Sequence, residues 1–141
     1  MSRSPYRSDE QLAADVRRFE ACDFTPAEFG HHRHMAVALW YLAHHPYDRA
    51  LARMREGLQR FLRHHGLAEG YNETLTVFWM RLLAHALATA PAAAPLHECI
   101  EALIARWGSM APVDAHWHRE TVLSPAARTA WVEPDREPLP F

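Results

Sequence analysis

The chain has 141 residues, a formal net charge of −2, and 49% hydrophobic and 11% aromatic residues. That length fits a single domain over residues 1–141, and the apolar content is enough to offset the entropy of ordering it. A near-neutral balance leaves no electrostatic footprint for nucleic acid or an anionic membrane, so neither partner is expected.

Further classes fall away on residue types. No apolar run approaches the roughly 20 residues of a membrane span, and "MSRSPYRSDEQ" lacks the apolar centre of a secretory signal, so the cytoplasm is the expected location. All 15 basic residues are arginine, which removes Schiff-base and P-loop lysine chemistry. Neither G-x-S-x-G nor G-x-G-x-x-G occurs. Cys22 and Cys99 stand alone in sequence and read as two buried free thiols rather than a thiolate site or a disulfide.

Helix signals fill the chain in order. "SDEQLAADVRRFEA" opens on Ser8 with Gln11 three residues on, a capping box, followed by Leu12, Val16 and Phe19 at helical spacing. "TPAE" is a second capping box cut short by Gly30, so a turn is expected there and the next helix restarts near Gly30 or His31. That helix carries Met35, Leu39, Trp40 and Leu42 and ends before Pro46. A long amphipathic third helix follows over "YDRALARMREGLQRFLRHHG", with Leu51, Met54, Leu58, Phe61 and Leu62 on one stripe and Gly66 as its stop.

"YNETLTVFWMRLLAHALATA" is the fourth helix, broken by "PAAAP", and a fifth is expected from Leu96 to Trp107. "PVDAHWHRETVL" reads as one short helix, and "SPAARTAW" has Ser124 as its cap with Pro125 in the first helical position. The tail "VEPDREPLPF" is proline-rich and extended; residues 1–7 and 134–141 are expected to be extended or loosely ordered. The fold class is all-α, a compact bundle of about five helices with short C-terminal helices and an extended tail.

The 11 histidines divide by position. His44 and His45 precede Pro46, and His64 and His65 precede Gly66, so both doublets sit at helix C-termini. There a cation is favoured and a ring N–H can reach a free carbonyl. "HHRH" sits at the opposite end of its helix, where the dipole disfavours imidazolium and keeps a lone pair free. His31 and His34 are three apart and share a face, as two metal ligands would, whereas His32 points about 100° away.

Glu73, at the start of the fourth helix, is the third candidate ligand. Two histidines and a carboxylate with open positions suit one divalent ion, iron or zinc. First-turn glutamate is also a common cap, and first-turn histidines can cap backbone or pack on Trp40. His116 and His118 in "HWHRE" are held as substitute ligands against a solvated surface cluster. His85 and His97 are read as structural. Trp40, Phe78, Trp79 and Tyr71 are pocket candidates, although aromatic residues at helical spacing are more often core.

"FGHHRHMAVALWYL", "YNETLTVFW" and "LSPAARTAWVEPD" together resemble a family of small, mostly uncharacterised bacterial helical proteins. Its segments run F-x-H-x-x-H-L-x-x-A-W, Y-H-E-T-x-T-x-x-W and S-P-x-A-R-x-x-W-V-x-P-D, and the likeness covers most of the chain. The resemblance implies His31, His34 and Glu73 as shared polar residues. This chain departs at Asn72, where the pattern has histidine, and an amide oxygen is a poor zinc or iron ligand.

The expected function is a small metal-dependent enzyme with a His31, His34 and Glu73 centre, Glu73 and Asn72 being its catalytic candidates and a small molecule its substrate. The alternative is a non-catalytic helical module that binds a small ligand or partner protein through the same polar pocket. A third reading makes the histidines mainly caps of a structural subunit. The oligomeric state is left open, a homodimer included.

Overall fold

The structure is a computed structural model describing residues 6–90 and 94–141. Expectations for residues 1–5 and for 91–93 of "PAAAP" lie outside the described residues. Among the described residues, all regular structure is helical: α1 Asp9–Glu20, α2 His31–His44, α3 Tyr47–His64, α4 Glu73–Ala88, α5 Leu96–Trp107, α6 Ala111–His116, α7 Arg119–Val122 and α8 Pro125–Thr129. A 3-10 turn at Ala68–Gly70 joins α3 to α4.

Local chemistry sets these boundaries. Ser8 caps α1 by accepting the Gln11 N–H at 3.2 Å, while the Gln11 side chain returns to the Arg7 N–H at 2.7 Å, one residue before the partner a capping box uses. In the Thr25–Glu28 turn the box closes reciprocally, at 3.2 and 2.8 Å, before α2 starts at His31. Ser124 caps α8 through the Ala127 N–H, with Pro125 at the first helical position. The single helix expected over 112–123 is two, because Trp117 takes an extended conformation between α6 and α7.

α2 is the centre of the bundle, packed against α1, α3, α4 and α5. Met35 through Leu39 are all buried, as a helix surrounded by others requires. Phe19 of α1 stacks on Phe29 at 4.6 Å and lies against Gly57 of α3, where a Cβ would come within 2.5 Å of its ring. Glycine at that helix-interior position is what lets α1 and α3 approach. Cys22 and Cys99 are free, as expected, but half-buried rather than buried: Cys22 follows the C-terminal end of α1 and Cys99 lies in the first turn of α5.

The C-terminal segment is extended and lies against the bundle. Fully buried Trp117 donates its indole N–H to the Val132 carbonyl at 3.1 Å, and Arg136 N–H reaches the His116 carbonyl at 2.9 Å. Phe141 stacks on His85 at 5.5 Å, and its carbonyl accepts from Arg81 at 3.1 Å. Thr74 of α4 pins this segment from inside: its hydroxyl lies 2.8 and 2.9 Å from the Ala127 and Ala130 carbonyls and accepts the Val132 N–H at 3.2 Å.

Candidate ligand cavity

α2, α3 and α4 flank a partly open cavity of about 280 Å³. The face of α2 at His31, His34, Met35 and Ala38 forms one wall. Met54, Leu58 and Phe61 of α3 form the second, and Leu75, Thr76, Trp79, Met80 and Leu83 of α4 the third. Exposed Gly70 and Met110 are part of the lining, with Tyr71 and Asn72 beside them. Among the described residues, no aspartate, glutamate or arginine lines it.

Both candidate histidines of α2 face this cavity. The His34 ring packs on Phe29 at 4.3 Å; burial, with His31 close by, holds its pKa down at about 4 against a weaker upward pull from the Phe29 backbone. His31 meets Trp79 edge-on at 4.7 Å, and burial lowers its pKa as well, opposed in part by the Trp107 backbone. Both rings are therefore neutral at pH 7. Nε2 of His31 is buried with no hydrogen-bond partner, which is costly for a polar atom.

Glu73 is not brought to these histidines. Its carboxylate receives Nε and an Nη of Arg55 at 2.9 and 2.7 Å and the Tyr71 hydroxyl at 2.6 Å. It lines a separate surface groove with Gln59, Arg63 and Arg128. Burial pushes the carboxyl up, but the bonds from Arg55 and Tyr71 outweigh it, so its pKa lies below the usual range. Tyr71, sharing that bond, is pushed up to about 12, first by burial and then by Glu73. Among the described residues no three histidine, cysteine, aspartate or glutamate side chains converge as a metal site.

Asn72, the second catalytic candidate, is a cap. Its Oδ1 accepts the Leu75 N–H at 2.9 Å and its Nδ2 donates to the buried Val122 carbonyl at 2.7 Å, so each end of the amide already makes one bond within the fold. His116 and His118 stand away from the cavity. Nδ1 of His116 pairs with the Glu137 carbonyl at 2.7 Å, and Nδ1 of His118 with Asp135 at 3.3 Å. Of the four aromatic candidates, Trp79 and Tyr71 line the cavity, while Phe78 is core and Trp40 stacks on His44 at 4.0 Å.

At the C-termini, His44 behaves as a cap, with Nδ1 at 2.7 Å from the Trp40 carbonyl. His65 packs on Phe61 at 4.6 Å instead, with its Nε2 buried and unpartnered. The residues that sequence reasoning passed over are Met54, Met80 and Met110, which converge with Met35 on the cavity. Met54 reads only as part of the α3 core stripe, and Met80 and Met110 carry no signal of their own; the packing of three helices brings them to one cavity. Comparison with family models, curated proteins and solved structures gives no match. No helix of the described residues is long and apolar enough to cross a membrane.

Proposed function

We propose that this protein is a cytoplasmic binding module for a small, mainly apolar molecule. The observation that carries the reading is the cavity of about 280 Å³, lined by apolar side chains and by two neutral imidazoles. An apolar cavity of about 150 Å³ already takes up benzene, so this one has room for a substituted ring. Methionines from α2, α3 and α4 and the loop before α6 give it an adaptable wall. The free thiols of Cys22 and Cys99 fit a reducing compartment.

The test is thermal unfolding with and without saturating ethylbenzene. Binding to the folded state alone raises stability by about 2.7 kcal/mol at a hundredfold excess over Kd. The wild type should shift upward, and Ala38→Leu, which places a larger side chain in the cavity, should lose the shift while keeping its helical circular dichroism. An unshifted wild type across a series of apolar probes of this size contradicts the proposal.

The unpartnered Nε2 of His31 beside His34 favours one other reading, an iron or zinc ion on the two histidines with water or substrate completing its shell. Elemental analysis of untagged protein decides it: stoichiometric metal lost in His34→Ala supports the ion, and metal-free protein after reconstitution sinks it.

A further inference from the structure

The groove that holds Glu73 is an open recess of about 740 Å³, within the size range of small-molecule sites. Arg55, Gln59 and Arg63 stand four residues apart on α3 and so line it from one helical face, while Arg128 lines it from α8. Three arginines against two glutamates leave one positive charge in excess, in a chain whose formal net charge is −2. An anion is attracted here against the sign of the chain as a whole.

Donors outnumber the acceptors left to meet them. The Glu73 carboxylate already takes two bonds from Arg55 and one from Tyr71. Arg128 reaches the Glu69 carbonyl through one nitrogen at 3.3 Å, which ties its guanidinium to the groove while its remaining N–H groups make no hydrogen bond. Among the described residues, the Arg63 guanidinium and the Gln59 amide make no side-chain hydrogen bond or ion pair. The exposed Glu69 is the one carboxylate of the lining outside an ion pair, set against two guanidiniums in the same condition.

We propose that this groove binds a small phosphate monoester, with Arg63 and Arg128 on the phosphoryl oxygens and Gln59 as a neutral donor beside them. A monoester is a dianion above its second pKa of about 6, and its three terminal oxygens can accept from arginines on two helices at once. A carboxylate offers two oxygens in one plane. The site is separate from the apolar cavity, with Tyr71 common to both linings. Because Arg63 and Arg128 are exposed, binding is modest and weakens with salt.

Calorimetric titration at pH 7.5 and low salt with glycerol 3-phosphate, glycerate and glycerol tests it on the wild type, Arg63→Gln, Arg128→Gln and Arg17→Gln, the last an exposed position of α1 outside the groove. The wild type should bind glycerol 3-phosphate with a Kd of about 1 mM or tighter, glycerate about tenfold more weakly, and glycerol not at all. Arg63→Gln and Arg128→Gln should each weaken the phosphate by about tenfold or more with helical circular dichroism unchanged, and Arg17→Gln should bind as the wild type does. No heat from millimolar glycerol 3-phosphate, equal affinity for glycerate, or the same loss in Arg17→Gln overturns the proposal. Each of these results leaves the apolar cavity untouched, since ethylbenzene reads that site independently.

Discussion

Arg55 grips Glu73 with two nitrogens, at 2.9 and 2.7 Å, and in doing so fixes the carboxylate in a surface groove rather than beside the histidines of α2. The pair joins α3 to α4 and is partly buried on both sides. Its consequence is structural: a cavity without an ionised wall, flanked by an ion pair that holds the helices in place.

Glu73→Gln should therefore destabilise the fold by roughly 1–2 kcal/mol, the loss of charge-assisted bonds discounted for solvent screening. Apolar-probe binding should change little. Because the folded carboxyl titrates below its unfolded value, this contribution is present above the unfolded pKa and disappears as pH falls through the folded one. Urea unfolding of wild type and variant at pH 7 and pH 3.5 checks the sign: the gap between them should narrow at the lower pH.

Asn72 gives a sharper discrimination between cap and catalyst. Asn72→Ala removes the α4 cap and strands the buried Val122 carbonyl, at a cost of roughly 2–3 kcal/mol. Asn72→Asp retains a good capping oxygen but turns a carboxylate on that carbonyl, so it should cost at least as much. Chemical denaturation reads both; an Asn72→Asp protein as stable as wild type would show that the Val122 bond contributes nothing.

His34 should make the fold acid-sensitive. Its folded pKa is held at about 4, against about 6.5 when exposed, so below 6.5 the unfolded chain takes up the proton first. Stability is full above pH 6.5 and falls progressively toward pH 4, where the folded ring also titrates. Leucine at this position, in His34→Leu, should flatten the pH profile of unfolding over that window. A profile unchanged by the substitution would mean that the ring is not held neutral.

Much of this arrangement was legible in the sequence. Proline, glycine and cap residues placed the helices, and Leu96–Trp107 is bounded as its signals indicated. The shared face of His31 and His34 followed from their spacing, and their neutrality from the same end of the helix, although burial is the larger physical cause. The direction of Glu73 is set by Arg55, 18 residues earlier on another helix, a contact that local periodicity does not encode. Asn72 carried a readable signal, an N-cap residue directly before "ETLTVF", that the resemblance to a histidine-bearing pattern obscured.

The most direct test of the account is the nitrogen spectrum of the histidine rings, assigned through the His31→Leu and His34→Leu variants. At pH 7 both rings should show the neutral pattern, and ethylbenzene should move the resonances of His31 and His34 while leaving those of His85 and His118, which stand outside the cavity, in place. Rings charged at pH 7, or a ligand response confined to histidines outside the cavity, would contradict it.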